Sequence, residues 1–264
     1  MAQLRIGEYY GEQLTSFECD FLKLCVTHYD KDIIVPEHNH SNPYLCLLVN
    51  GSYKEIYGHE EDLIKKGDVL FRPKSHVHMN RFLDTKVSCF NIELKKHFFD
   101  FLEIQPLNTY SKVNPLSGAA MYKILLDFTY GYDYELIIQV LTDCVLDIHN
   151  LDYKDANPFW ILPLQKILEN ETNKFHSLDE LSKRMDLHPV YMTKCFKSKK
   201  GYTIREYQLK TKLSRGAVML TRDKTTISSV AFELGFYDNA HFTRSFKKYF
   251  GISPHQFRNQ LMVN

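Results

Sequence analysis

The chain has no long apolar run. The longest, Tyr44 to Val49, is six residues, against roughly 20 for a helix that spans a bilayer. The polar opening, Met1 to Glu12, carries no export-signal core, so a cytoplasmic protein without membrane association is expected. Proline and glycine are sparse (9 and 11 of 264 residues) and tryptophan occurs once, while hydrophobic residues make up 44% and charged residues 25%. These values exclude a disordered, collagen-like or low-complexity chain. The six cysteines, Cys19, Cys25, Cys46, Cys89, Cys144 and Cys195, include no CxxC pair and no zinc or secreted-disulfide spacing. Most should be buried, reduced thiols. Missing too are a phosphate loop, an HExxH motif and a serine-histidine-acid spacing. Neither an enzyme nor a cofactor is expected.

A net charge of +1 conceals a strong division of charge. Residues 1–159 hold 15 Lys and Arg against 23 Asp and Glu, a balance of −8, whereas residues 160–264 hold 18 against 9, a balance of +9. The basic half is suited to a polyanion and the acidic half is not. At this length two domains are expected, divided in the polar stretch Asp152 to Pro158 into residues 1–155 and 156–264.

From about residue 17 to 94, β-branched and aromatic runs alternate with turn residues: Asp32–Pro36, Tyr44–Val49, Ser52–Tyr57 after Asn50-Gly51, Val69–Phe71 after Gly67-Asp68, and Val87–Leu94. Strands so spaced predict a sandwich or barrel. Between Pro115 and Asn150 the period changes to three or four residues, at Met121, Leu125 and Phe128, then Leu136, Val140, Leu141, Val145 and Ile148, with Gly131 interrupting. Two amphipathic helices follow, which either cover the sheet or form a subunit contact.

Beyond Pro158 the pattern is all helical. Ser177-Leu-Asp-Glu180 is a capping box, His188-Pro189 opens a helix that Gly201 closes, and a longer helix spans about Ile204 to Leu220. Thr226 caps another, Gly235 breaks it, the next runs from Asn239 to Phe250, and Ser253-Pro254 caps the last. An internal repeat offset by 50 residues matches Thr193, Lys194, Phe196, Gly201 and Tyr207 to Thr243, Arg244, Phe246, Gly251 and Phe257. In each copy one helix face is small, polar and basic: Val190, Thr193, Lys194 and Lys197, then Asn239, Ala240, Thr243, Arg244 and Lys247. The opposite faces are apolar, with Met192 and Phe196, then Phe242, Phe246 and Phe250. A helix that docks on its own domain and reads a DNA groove needs this division.

The stretch Ala231-x3-Gly235-Phe236-x5-Phe242-x3-Phe246-Lys247-x3-Gly251-x2-Pro254-x2-Phe257-Arg258, with His188 to Lys197 upstream, resembles the AraC/XylS family of bacterial transcription regulators. The resemblance covers about residues 159–260 and implies an all-α domain of two helix-turn-helix units joined by a long helix. It places base-facing positions on Val190, Thr193 and Lys194 and on Asn239, Ala240, Thr243 and Arg244. Double-stranded DNA and RNA polymerase are the partners it implies. Two positions of the joining helix depart from the family pattern: Lys212 stands where arginine is usual, and Gly216 where alanine is usual. The glycine costs about 1 kcal/mol of helix propensity and predicts a looser joint. Arg244 suits bidentate reading of guanine, Asn239 suits adenine, and Val190 and Ala240 suit a thymine methyl group. Lys197, Lys199, Lys200, Lys247 and Lys248 suit phosphates.

In the first half, His38-Asn-His40 and Gly67-x5-Pro73-x4-His78 resemble the two motifs of the cupin barrel, and more closely the cupin-related effector domain of that family. A metal-binding cupin has a glutamate where this chain has Tyr44. His38, His40, Tyr44 and His78 are therefore candidate effector contacts, and Glu93, Cys46 and Tyr53 could join them. His38, His40 and His78 could instead ligate a metal ion, or bond only within the barrel. The expected molecule is a homodimeric regulator with a cupin-like β-barrel plus helices, controlled by a small-molecule effector, followed by the helical DNA reader.

Overall fold

The computed structural model describes residues 2–84, 86–113, 115–131, 133–152, 158–221 and 225–262. It separates into two compact units, Met1–His149 and Asn150–Asn264. The predicted boundary at 155/156 lies outside the described residues.

The first unit contains the strands β1 (Ala2–Leu4), β2 (Glu12–Glu18), β3 (Leu22–Tyr29), β4 (Ile34–His40), β5 (Tyr44–Asn50), β6 (Ser52–Tyr57), β7 (Glu60–Lys65), β8 (Val69–Arg72), β9 (His78–Phe82), β10 (Val87–Leu94) and β11 (Ser111–Lys112). Its helices are α1 (Lys96–Leu102), α2 (Pro115–Tyr130) and α3 (Tyr134–Asp152). One sheet has the order β1-β4-β9-β6-β7, and the other β11-β8-β5-β10-β3-β2. Their facing sides share a core that includes Val35, Tyr44, Leu48, Tyr53, Ile64, Leu70, Phe82 and Val87. All eight residues of β10 are buried, as expected for an apolar strand covered on both faces. The expected cover is supplied by α2, which packs on β5 and β8 and stacks Phe128 on Phe90 at 5.7 Å.

The strand pattern begins at residue 2 rather than 17 and reaches 112. β2 escapes hydrophobic patterning because it is an edge strand with almost every residue exposed. A second difference lies in β4, predicted to end at Pro36, which continues to His40. The ladder is irregular between Val35 and His38, and an irregular ladder tolerates a proline that lacks a donor. The continuation brings His38 directly opposite His78 on β9.

The second unit is entirely helical among its described residues: α4 (Ile161–Asn170), α5 (Leu178–Met185), α6 (Pro189–Lys200), α7 (Ile204–Leu220), α8 (Ile227–Glu233), α9 (Asn239–Phe250) and α10 (Pro254–Met262). Ser177 Oγ accepts from the Glu180 N–H, and Thr203 and Glu206 form a reciprocal capping box on α7. Thr226 accepts from the Ser229 N–H to cap α8, and Asp238 from the His241 N–H to cap α9. The pairs α5–α6 and α8–α9 are the two helix-turn-helix units, with α7 between them. In the second turn Gly235 has φ +67°, and a Cβ there would lie 2.3 Å from the Asn173 carbonyl oxygen. Only glycine fits.

Both atypical positions of α7 face this joint. Lys212 is fully buried, and its Nζ donates to the Thr172 carbonyl at 2.7 Å and the Leu234 carbonyl at 2.8 Å. It also lies 4.2 Å from the centre of the Phe175 ring. At Gly216 a Cβ would meet Leu234 Cδ1 at 3.0 Å and the Phe242 ring at 3.2 Å. Beside its cost in helix propensity, the missing side chain lets α9 approach α7 closely.

Burial pushes the Lys212 ammonium down to about 8. Between that value and the ordinary lysine range the folded chain releases a proton that the unfolded chain keeps, so this term raises stability as pH rises. The neutral amine still has two N–H groups for its two carbonyls. Lys212→Met should destabilise the helical unit by about 2 to 4 kcal/mol, because two buried carbonyls lose their donor. Urea unfolding of the full chain should show that loss. Between pH 8 and 10 Lys212→Met should also lack the upward trend of the wild type; a parallel pH profile would refute the assignment.

Candidate functional site

Helices α6 and α9 are each built from their ends inward. Pro189 occupies the first turn of α6, His188 Nδ1 accepts from the Val190 N–H at 3.3 Å, and Gly201 closes the helix at φ +76°. Asp238 accepts from the His241 N–H at 2.6 Å to start α9, and Gly251 ends it at φ +80°. Met192 and Phe196 anchor α6, and Phe242, Phe246 and Phe250 anchor α9, all of them buried. Val190, Lys194 and Lys197 are exposed, as are Asn239, Ala240, Arg244 and Lys247, while Thr193 and Thr243 are half-buried.

Two of these side chains are already engaged. Thr193 Oγ1 donates to the Pro189 carbonyl at 2.9 Å, which leaves its methyl group and lone pairs for a partner. Asn239 Nδ2 donates to Ser228 Oγ at 2.6 Å. The tether orients the amide while Oδ1 and the second N–H remain for a base edge.

In the first unit, His38, His40 and His78 are buried and converge, each offering a ring nitrogen within 4.8 Å of the others. His38 Nδ1 donates to the Pro36 carbonyl at 2.8 Å, and His78 Nδ1 to the His76 carbonyl at 3.1 Å. Such bonds set the tautomer and leave Nε2 as the lone-pair donor. Tyr44 Oη lies 3.2 Å from His78 Nε2. His40 Nδ1 is buried without a hydrogen-bond partner. Burial lowers all three pKa values, His40 to about 3 and His78 well below its usual range, with the Arg72 charge adding to the effect. At neutral pH the imidazoles are uncharged, the form a metal ion requires.

The cavity they line is about 30 Å³, room for a water or an ion. Tyr44, Cys46 and Tyr53 also line it. Glu93 is not among the lining residues; it accepts from the Gly7 N–H and the Tyr9 hydroxyl, each at 2.7 Å. Tyr9 in turn lies 5.6 Å from the His40 ring. Sequence reasoning also missed the floor of the cavity, where Arg72 is buried against Glu55. Arg72 Nε donates to Glu55 Oε1 at 2.9 Å, Nη2 donates to Oε2, and Nη2 also donates to the Tyr53 hydroxyl at 2.8 Å. No spacing rule links residues 17 apart on β6 and β8, strands that belong to different sheets.

Residues 181–260 match the family described as "Helix-turn-helix domain". The chain is similar to the Msm operon regulatory protein of Streptococcus mutans, 25% identical over 134 residues that make up 51% of this chain and 48% of that protein. It thus spans about half the length of that relative. Similarity to the HTH-type transcriptional activator RhaS of Mannheimia succiniciproducens is 24% identity over 242 residues, covering 85% of this chain and 90% of that protein. The probable transcription factor PqrA of Proteus vulgaris is 32% identical over 88 residues, 33% of this chain and 72% of that protein. The chain belongs to the AraC/XylS family.

For an AraC/XylS protein the decisive question is which exposed side chains read bases and which hold phosphates. Arg244→Ala should cost about 1 to 3 kcal/mol on the specific DNA site and relax preference at one base pair. Lys247→Ala should weaken all sequences alike, and should make the slope of log K against log salt shallower by about 0.9. Fluorescence anisotropy on specific and random duplexes across salt concentrations separates the two. Equal losses on both duplexes for Arg244→Ala would reduce it to a backbone contact.

Proposed function

We propose that this protein is a sequence-specific, DNA-binding transcription regulator whose β unit senses a ligand. The observation that carries the reading is the pair of capped helices, α6 and α9, on one helical unit, each exposing small, polar and basic residues opposite an aromatic anchor. Val190, Thr193, Lys194, Asn239, Ala240, Thr243 and Arg244 face bases, and Lys197 and Lys247 meet phosphates. By its family resemblance it works in the cytoplasm and contacts RNA polymerase, and one relative's description as a transcriptional activator supports activation. No helix among the described residues is long and apolar enough to cross a membrane. The half-buried Leu136, Ile138 and Val140 of α3 support a homodimer formed through the first unit.

The effector site is the cavity lined by His38, His40, Tyr44 and His78. Its volume of about 30 Å³ and its neutral imidazoles favour a metal ion over a sugar-sized molecule, whose entry requires the walls to move apart. Zinc or ferrous iron fits the nitrogen donors. Such an ion would tie β4 to β9 and supply positive charge beside a buried ring of tyrosines.

The test uses the full chain with His40 and His78 both replaced by alanine. Wild-type DNA affinity should change on adding zinc or ferrous ion, by the ratio of affinities of the two conformational states for the metal. The double variant should keep its basal DNA binding and lose the response. If the wild type takes up neither metal, in elemental analysis or titration, the metal reading fails; an organic molecule found by mass spectrometry would restore the other effector class.

A further inference from the structure

Two cysteines meet inside the β unit. Cys46 stands on β5 and Cys89 on β10, adjacent antiparallel strands in which Cys46 is registered with Asn91 and Cys89 with Leu48. The two are therefore diagonal neighbours on one face of the sheet. Both belong to the buried core between the sheets, and the Cys89 thiol donates a hydrogen bond to the Cys46 sulfur. All six cysteines of the chain are free.

The surroundings treat the two thiols differently. The hydrogen bond from Cys89 and the buried Arg72 guanidinium, which also bonds to Cys46, hold the Cys46 thiol below its usual range against burial and the Glu55 charge. The same hydrogen bond, together with burial, holds Cys89 well above that range. Cys46 is thus the nucleophile of the pair, and Cys89 the partner that keeps its proton. By contrast, burial pushes the Cys25 thiol up to about 11.

An oxidant has a place beside this pair. Cys46 and Cys89 line the same cavity of about 30 Å³ as His38, His40 and His78, and the lining continues to Tyr10, which is 43% exposed. Such a space holds about two waters. Hydrogen peroxide, with two oxygens, is of that size, and an aryl hydroperoxide is not.

We propose that Cys46 and Cys89 are a hydrogen-peroxide-reactive dithiol that closes to a disulfide between β5 and β10. The Cys46 thiolate attacks one peroxide oxygen, the O–O bond breaks, and the departing hydroxide takes up the proton that Cys46 released. This leaves a sulfenic acid on Cys46. The Cys89 sulfur then attacks Cys46 Sγ, the S–O bond breaks, and the second oxygen leaves as water with the Cys89 proton. Two thiols are oxidised to one disulfide, and one peroxide is reduced to two waters. Closure removes both thiols from the wall that the histidines share. The step needs neither the metal ion nor the DNA contacts proposed above.

The test treats the full chain, in the presence of a chelator, with hydrogen peroxide and maps every cysteine by alkylation and mass spectrometry without reduction. A Cys46–Cys89 link is expected, formed before the partly exposed Cys19 and Cys195 react, and reversed by dithiothreitol. Cumene hydroperoxide should form it at least tenfold more slowly. Cys89→Ser should stop at a dimedone-reactive sulfenic acid on Cys46, whereas Cys46→Ser should leave Cys89 unmodified. Should the variants fail to fold, the wild-type map and the comparison of the two peroxides decide. The proposal is overturned if Cys46 and Cys89 stay reduced while Cys19 and Cys195 oxidise, if they link only after unfolding in urea, or if cumene hydroperoxide acts as fast as hydrogen peroxide.

Discussion

The Lys212 ammonium sits where two chain segments must be held at a fixed distance. One is the Thr172–Phe175 stretch before α5, and the other is the Leu234–Phe236 turn between α8 and α9. Each supplies a carbonyl or a ring: Lys212 donates to Thr172 and Leu234, and Phe175 meets Phe236 edge-on at 5.4 Å. Gly235 lets the second segment pass against the Asn173 backbone. Two recognition helices can address successive groove segments only if their separation is constant. A buried cation with two directional acceptors sets that separation in a way that apolar contact, which is non-directional, does not.

The β unit solves a different problem with the same economy of charge. Buried within it, Arg72 is paired with Glu55 and donates to the Tyr53 hydroxyl. Desolvating such a pair consumes much of its attraction, so its contribution is specificity of arrangement rather than net stability. The arginine also adds positive potential beside His38, His40 and His78, which favours their neutral forms.

How much of this could be read from the residues alone differs between the halves. The helical unit was legible because its signals are local. Ser177, Pro189, Gly201, Thr203, Gly235 and Gly251 mark helix ends by capping and backbone chemistry, and the 50-residue repeat pairs the two reader helices. The meaning of Lys212 and Gly216 was not legible. Both act through contacts with residues 18 or more positions away, which propensity alone does not reveal. In the β unit the strongly apolar β5 and β10 announced themselves, while β2 and β7 did not, because edge strands carry polar residues on exposed faces. The histidines were visible as candidates. Their convergence needed β4 to run past Pro36.

Gly216 also ties the evolutionary fates of three positions. With a Cβ 3.0 Å from Leu234 and 3.2 Å from Phe242, a larger residue at 216 requires one of these side chains to give way by a few tenths of an ångström. Substitutions at 216, 234 and 242 are therefore coupled, and their effects on stability are not additive. Change beneath α9 is coupled in this way, while its exposed face makes no such contacts with α7 and can change one residue at a time. The outer surface of α9 can thus be rewritten without loosening the frame that presents it.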